Sequence, residues 1–242
     1  MALRVIGGGR SASIPFTLFD SVLDRSCRRQ IGSLMDVVDL ERGQTLAREG
    51  EVGREFLIVA EGMVQLWTAL SGDRRQIVAF RGPGDVVSLH RHDTPWPSTA
   101  EAVRASKIFS IEWDALRRLA NRRPAIHQAL LDLASDEITS LQNHILTLGR
   151  KTSEEKLASF ILECCRPASS FSGLCREVDL PMRRCEIAQY LGLTTESVSR
   201  EFSRFKKRRI ISAPRPSRIV VLNRPALEAI ATGKRHRGER TA

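Results

Sequence analysis

Residues 184–200 read RCEIAQYLGLTTESVSR, the pattern of two short helices joined by a tight turn. The small side chain of Ala188 lets the second helix cross close to the first. Gly192 supplies the positive φ that a turn of three to four residues requires. Val198 is placed to enter the core that the two helices share, and Thr194 is a candidate N-cap for the second helix. The spacing therefore predicts a helix-turn-helix.

The second helix of this motif carries an acid and a base one turn apart. Glu196 and Arg200 share a face because they are four residues apart, and Ser199 lies beside them. In the major groove of DNA a glutamate accepts from cytosine N4, and an arginine binds guanine O6 and N7 together. A simple surface ion pair is the alternative. The favoured interpretation is that these three side chains read bases.

The charge of the chain predicts a polyanionic partner. The 242 residues include 38 Lys and Arg against 28 Asp and Glu, which gives a net charge of +10. Residues 183–209 alone have a net charge of +5. Double-stranded DNA is the natural partner, and binding should weaken steeply with salt. The side chains that we expect to position phosphates are those of Arg183, Arg184, Thr194, Thr195, Arg204, Lys206 and Lys207.

A heptad pattern runs through residues 124–150, which we predict to form one helix. Apolar side chains recur at alternating steps of three and four over about two and a half heptads. A narrow stripe of this kind favours pairing with a second copy, although packing of the helix on its own domain is the alternative. The predicted dimer interface consists of Leu131, Ala134, Ile138, Leu141, Ile145 and Leu148.

The segment before this helix has the pattern of a β domain. Glycines punctuate residues 16–123, and three β-leaning runs lie between them, at 55–59, 63–67 and 76–80. Pro83-Gly84-Asp85 is a good turn former, since proline presets its own φ and glycine allows a positive one. Short strands separated by frequent turns predict an antiparallel β-roll.

The remaining segments complete an α+β architecture. Residues 1–15 are predicted to be a flexible arm because they are rich in glycine and serine. Residues 151–223 are predicted to be mostly helical and to end in two strands, at 210–213 and 218–222. Residues 224–242 are predicted to be a disordered basic tail.

Several function classes are disfavoured by what the chain does not contain. No run of eighteen apolar residues is present, so we expect no membrane-spanning segment. The positive charge would also suit an anionic membrane face, but we expect DNA and not a membrane as the partner. Five cysteines without metal-type spacing argue against a disulfide scaffold, and we expect the cytoplasm. A Gly-rich phosphate loop, Gly-x-Ser-x-Gly and His-Glu-x-x-His are all missing, so we do not expect an enzyme.

From about Asp39 to Leu222 the chain resembles the CRP/FNR superfamily of bacterial transcription regulators. Residues 154–161 resemble the helix that follows the dimer helix in FNR and FixK proteins, and residues 196–200 match their Glu-x-x-Ser-Arg signature. The resemblance implies a cyclic-nucleotide-binding-type β-roll, a dimerisation helix, a winged helix-turn-helix, a homodimer and contact with RNA polymerase. Thr195 stands where CRP has a further guanine-reading arginine, which favours palindromes of FNR/FixK-type TTGAT half-sites.

Two features bear on how closely the chain follows the family: the residue at position 201 and the arrangement of the cysteines. Glu201 departs from it, since an apolar or small residue is usual there. The iron–sulfur cluster of FNR needs about four thiolates. Here Cys27 stands alone in the N-terminal half, and the other cysteines are scattered at positions 164, 165, 175 and 185. We therefore expect no cluster.

The ligand site of CRP is also not matched. CRP binds cyclic AMP with a Gly-Glu pair and an Arg-Ser pair, whereas this chain has Ser88-Leu89 after the turn and no arginine at 97–100. Without these groups nothing neutralises a cyclic phosphate. His90, His92 and Asp93 are read as a polar loop rather than as ligands of a metal or haem. We therefore expect no cofactor.

The resemblance thus favours a FixK-like activator that works without a small ligand. Low-oxygen or nitrogen-related genes, including nitrogen fixation, are its expected targets. The alternative is a ligand-responsive, CRP-like regulator whose β-roll binds a small effector.

Cys185 is a candidate redox switch. It lies at the start of the first helix of the motif, beside Arg183 and Arg184, and such surroundings favour a reactive thiolate. Oxidation there would add charge or bulk against the DNA backbone. The alternative is a merely tolerated cysteine.

Overall fold

The computed structural model describes residues 24–72, 74–89, 93–165 and 176–233. The chain divides into two compact units, 1–138 and 139–242, and each is described by itself. The predicted N-terminal arm and the sequence from residue 234 lie outside the described residues, as do His90, His92 and Cys175.

The first unit is built of two antiparallel sheets and the helices α1 (Arg25–Gly32) and α2 (Trp113–Arg122). The strands in its described part are β1 (Asp36–Leu40), β2 (Thr45–Ala47), β3 (Glu55–Glu61), β4 (Val64–Ala69), β5 (Arg75–Arg81), β6 (Thr99–Ala102) and β7 (Ser106–Glu112). The strand orders are β1-β7-β3 and β2-β6-β4-β5, with every pairing antiparallel. The three β-leaning runs fall on β3, β4 and β5, so the predicted β-roll is confirmed.

Two apolar clusters hold this unit together. One contains Val59, Val64 and Ile108, whose side chains come from both sheets. The other packs α1 and α2 on β3 and β7, with Phe56 fully buried and its ring 5.1 Å from that of Trp113. Burial removes these groups from water and is the main stabilising contribution.

Helix α3 runs over Pro124–Arg150 and passes from the first unit into the second. Proline suits the first turn of a helix because its fixed φ is helical and its missing N–H would have no partner there. Five large apolar side chains along α3 are exposed, with relative accessibilities between 45% and 67%; these are Leu131, Ile138, Leu141, Ile145 and Leu146. Among the described residues no helix is both long and apolar enough to cross a membrane.

The described residues of the second unit form a three-stranded sheet and four further helices. Its elements are α4 (Ser153–Cys164), β8 (Glu177–Asp179), α5 (Arg184–Leu191), α6 (Thr195–Lys207), β9 (Ile211–Arg215), β10 (Arg218–Val221) and α7 (Arg224–Ala231). A capping box starts α4, in which the Thr152 hydroxyl and the Glu155 carboxylate each accept from the other's backbone N–H. The sheet order is β8-β10-β9, so the two predicted strands are joined by a third, β8, which the sequence did not reveal.

The prediction of a disordered tail from residue 224 is wrong for its first part, because residues 224–231 form α7. The Asn223 side chain accepts from the Ala226 N–H at 3.0 Å and caps the helix, and Pro225 fits its first turn. Ala226 and Leu227 are buried in the unit. The basic composition after this helix obscured a short amphipathic segment, so the second unit extends through α7.

Candidate nucleic-acid interface

The turn between α5 and α6 has the geometry that the sequence predicts. Gly192 adopts φ +59° and ψ +44°, and the Leu193 N–H donates to the Ala188 carbonyl at 2.9 Å. Val198 is completely buried. The Thr194 hydroxyl accepts from the Ser197 N–H at 3.1 Å and so caps α6. The predicted helix-turn-helix is confirmed.

The two sides of α6 differ sharply in exposure. Val198, Phe202 and Phe205 are buried, which fixes the rotation of the helix about its axis. The opposite side is exposed and polar; it carries Glu196, Ser199, Arg200 and Ser203. An exposed polar face on a well-anchored helix is what insertion into the major groove requires.

Glu196 and Arg200 do not neutralise each other. The Arg200 guanidinium donates to the Ser197 hydroxyl at 3.3 Å, and within the described part of the chain it forms no ion pair with Glu196. The alternative of a surface ion pair is therefore not supported. Both charged groups are directed to the exposed face that we predict to read bases.

The two arginines at the start of α5 are engaged within their own unit. Arg183 donates through its backbone N–H and its side chain to the carboxylate of Glu186, at 2.6 and 3.0 Å. The Arg184 guanidinium carbon lies 3.4 Å from the ring centroid of Phe202, and burial lowers the pKa of Arg184. Arg184 thus packs α5 on α6, a contact that the sequence analysis did not foresee.

Two basic residues of α6 and its C-terminus also have internal partners. Arg204 pairs with Glu201 at 3.0 Å, and Arg208 pairs with Glu154 of α4. The exposed basic groups without a carboxylate partner in the described residues include Lys206, Lys207 and Arg209. The net charge of residues 183–209 already counts Glu201, so only the pairing of Arg208 with Glu154, outside this segment, lowers it further, by one. Lys206, Lys207 and Arg209 lie close together at the C-terminal end of α6.

The hairpin β9–β10 adds a basic group that the sequence analysis missed. Arg215 is exposed and is the last residue of β9. It precedes the turn that leads to Arg218, the first residue of β10. Arg218 instead pairs with Glu177 of β8. The signal available in the sequence was an arginine beside the Pro-Ser turn of a two-stranded segment.

Cys185 is the second residue of α5 and is half-buried. It directly follows Arg184, whose guanidinium packs against Phe202 of α6. Cys27 is buried in the core of the first unit, where burial, followed by the charge of Asp24, raises the pKa of its thiol. Within the described part of the chain, Cys27, Cys164 and Cys185 form no disulfide.

In the first unit, the end of β5, just before the Pro83–Asp85 turn, is linked to α3. The Arg81 side chain, at the end of β5, donates to Glu137 of α3 in a mostly buried ion pair. Ser98 is buried, and Leu89 packs against the core. Among the described residues no three His, Cys, Asp or Glu side chains are grouped as a metal site.

A ring cluster anchors α5 inside the second unit. His144 of α3 stacks on Tyr190 of α5 with centroids 4.2 Å apart and planes 16° from parallel. Tyr190 also packs on Phe160 and donates to Glu163 of α4. Burial, assisted by the charge of Lys156, lowers the pKa of His144.

This shift predicts a pH-dependent stability. In the unfolded chain a histidine titrates near pH 6.5. Because the folded protein favours the neutral ring of His144, the stabilisation is complete above that pH and is lost as the pH falls below it. We expect the Tm to fall between pH 7.5 and 5.5 by more in the wild type than in His144→Phe, which keeps a stacked ring without a titrating nitrogen.

The matched control is His127→Phe, which replaces an exposed histidine of the same helix. We expect this variant to keep the pH dependence of the wild type in thermal melts followed by circular dichroism. An unchanged pH dependence in His144→Phe would contradict the assignment.

Two family models match the chain over most of its length. Residues 37–123 match the cyclic nucleotide-binding domain, and residues 155–230 match the Crp-like helix-turn-helix domain. The first match covers the two sheets of the first unit, and the second covers α5, α6 and the hairpin. The β-roll and the helix-turn-helix thus occur in the order found in CRP-type regulators.

Relatives and solved structures agree with these matches. The chain is 33% identical over 220 residues to the fumarate and nitrate reduction regulatory protein of Vibrio cholerae, covering 90% of this chain and 86% of the relative. It is 33% identical over 190 residues to the nitrogen fixation regulation protein FixK of Bradyrhizobium diazoefficiens, covering 77% and 78%. The structure of FixK2 from Bradyrhizobium japonicum superimposes with a TM-score of 0.75 at 30% identity, covering 81% and 96%. The chain therefore belongs to the CRP/FNR superfamily of DNA-binding transcription regulators, as a FixK-like member.

Proposed function

We propose that this regulator binds, as a homodimer, palindromic DNA sites made of two TTGAT half-sites. The observation that carries the proposal is the exposed face of α6, on which Glu196 and Arg200 stand one turn apart without pairing with each other. Glu196, Ser199 and Arg200 read bases. Two such helices, about 34 Å apart in the dimer, match two successive major grooves.

The residues that contact phosphates are proposed from their exposure and their partners. Lys206, Lys207 and Thr195 are exposed, and Arg183 keeps an exposed side chain beside Glu186. Thr194 is also exposed, although its hydroxyl caps α6. Arg184 and Arg204 are bound to groups of their own unit, and we assign to them the positioning of α6 instead. Phosphate contacts orient the duplex but carry no sequence information.

The dimer interface is proposed to be the apolar stripe of α3. Leu131, Ile138 and Ile145, one heptad apart, are each more than half exposed in the single chain. A contiguous apolar stripe of this kind marks an interaction site, and its heptad spacing fits a second copy of the same helix. Leu148, at the end of the stripe, lies near Gly192 of its own unit and contributes less.

The physiological role is proposed from the relatives. Their names include an anaerobic regulatory protein and a nitrogen fixation regulation protein. We place this chain in the same kind of control, as an activator of low-oxygen or nitrogen-related genes that recruits RNA polymerase.

A mobility-shift titration tests the proposal. We expect the wild type to bind a TTGAT palindrome at least a thousandfold more tightly than a scrambled duplex of equal length, which is the lower range for specific regulators. Log affinity should fall linearly with log salt concentration. Equal affinity for the two duplexes would contradict the proposal.

A second candidate function is a CRP-like regulator whose β-roll binds a small effector. The match of residues 37–123 to the cyclic nucleotide-binding domain favours it. Isothermal calorimetry with cyclic AMP separates the two candidates. Binding that also tightens the palindrome complex would favour the second candidate, and absence of heat would favour the first.

We further propose that Cys185 is a redox off-switch. Its half-buried thiol lies in the first turn of α5, next in sequence to Arg184, so a sulfinate there introduces negative charge at the start of α5, against the DNA backbone. We expect peroxide to weaken palindrome binding by about tenfold or more in the wild type, and not in Cys185→Ser. Cys164→Ser is the matched control and should remain sensitive. Equal resistance of the wild type and Cys185→Ser would end the proposal.

A further inference from the structure

Glu201 lies on the inner side of the recognition helix. Its side chain is only 2% exposed, although every other acidic residue of α5 and α6 is either exposed or placed at a helix start. A buried carboxylate is costly unless it is paired and hydrogen-bonded. Its partners therefore define what it does.

One partner of Glu201 is the hydroxyl of Ser153. Ser153 Oγ donates to Glu201 Oε1 at 3.0 Å across 48 positions of sequence. Because Ser153 is the first residue of α4, the carboxylate lies against the positive end of that helix. This contact joins the middle of α6 to the start of α4.

The other partner of Glu201 is Arg204, one turn further along α6. Arg204 Nη1 contacts both carboxylate oxygens, at 3.0 and 3.2 Å. The arginine side chain is 57% exposed, so its charge would otherwise be accessible to phosphates on the same helix that reads bases. The ion pair cancels that charge.

We propose that Glu201 determines DNA specificity in this protein by two linked effects. It pins α6 to α4 through Ser153, and so fixes the presentation of Glu196 and Arg200. It also holds Arg204 in an internal pair, which lowers the attraction to phosphates of any sequence. This inference rests on the proposed binding of DNA through α6. Specificity is a difference of affinities, so weakening the non-specific complex raises it.

The test compares the full-length wild type with Glu201→Gln on the TTGAT palindrome and on a random duplex. Glutamine keeps the shape and the hydrogen bond to Ser153 but releases the charge of Arg204. We expect the random duplex to be bound several-fold more tightly at low salt, with a salt slope steeper by about 0.9. The affinity for the palindrome should rise by less, so the ratio of the two affinities falls.

Glu228→Gln is the matched control, since it removes one negative charge from an Arg–Glu pair in α7. We expect it to leave the ratio unchanged. If Glu201→Gln also leaves the ratio and the salt slope unchanged while the wild type discriminates, this inference is overturned and the proposed function stands. If the wild type itself does not discriminate, both are overturned.

Ser153→Ala provides a second test that does not alter any charge. It removes one hydrogen bond, and the Glu201–Arg204 pair remains. We expect palindrome binding to weaken by roughly threefold to tenfold, with binding to random DNA unchanged. This variant decides the proposal if Glu201→Gln fails to fold, as judged by its circular dichroism. Unaltered palindrome affinity in Ser153→Ala would then overturn it.

Discussion

Ile138→Lys should give a folded monomer that binds the TTGAT palindrome at least about a hundredfold more weakly than the wild type. Ile138 is 57% exposed in the single chain, so a lysine there should cost the fold little. In a dimer paired along α3 the same lysine faces its copy in an apolar seam, and an unpaired buried charge is strongly destabilising. A monomer also loses the gain from binding two half-sites at once, which is typically a hundredfold or more.

Sedimentation velocity measures the change of mass, and mobility shifts measure the loss of binding. Asn143→Lys is the matched control because it adds the same charge at an exposed position of the same helix, off the apolar stripe. It should remain dimeric. A dimeric Ile138→Lys with a normal melting curve would show that α3 does not form the interface.

Arg200→Ala should weaken palindrome binding by about 1–3 kcal/mol and relax the preference at one base pair of each half-site. The reason is the loss of a guanidinium that grips a guanine through two hydrogen bonds. In the free protein the exposed side chain of Arg200 donates a hydrogen bond to the hydroxyl of Ser197 on its own helix, so its removal should change the free energy of unfolding little. Titrations with single-base variants of the half-site locate the relaxed position.

Lys207→Ala separates base reading from phosphate contact. Lys207 is exposed at the end of α6. Its removal should weaken binding to every duplex by a similar factor and lower the salt slope by about 1. If Arg200→Ala behaved in the same way, with equal losses on the palindrome and on random DNA, the base-reading role of Arg200 would be refuted.

Much of the β-roll was predictable because its strands and turns are marked locally. Residues 55–59 and 76–80 are mostly apolar runs that lie between glycines in the sequence, and each lies inside an observed strand. The short strand β8 was not predictable, since three residues give no periodicity, and it exists only because β10 offers it a partner. Helix α7 was missed because the prediction relied on the average composition of residues 224–242, which is polar and basic. An N-cap and a few buried side chains are enough to stabilise a helix of two turns within that segment.

In the candidate site as well, the features that depend on neighbouring residues were predictable, and the contacts between distant residues were not. Thr194 and Gly192 were identified from spacing, because a cap and a left-handed turn residue act on neighbours within three or four positions. The partners of Arg184 and Arg208 were not identified. Phe202 is 18 positions from Arg184 and Glu154 is 54 positions from Arg208, and only the packing of α5 and α4 on α6 brings them into contact.

The amino-acid sequence by itself determined that this protein has a helix-turn-helix with Glu196 and Arg200 on one face, because helical periodicity and turn conformation are local properties. Only the tertiary structure decided which of its many charges face solvent and which are used internally. Nothing in the sequence shows that the carboxylate of Glu201 is buried. It is buried in the folded protein, where it accepts a hydrogen bond from Ser153 of another helix. Desolvation and ion pairing depend on neighbours that are distant in sequence, and the fold alone assembles them.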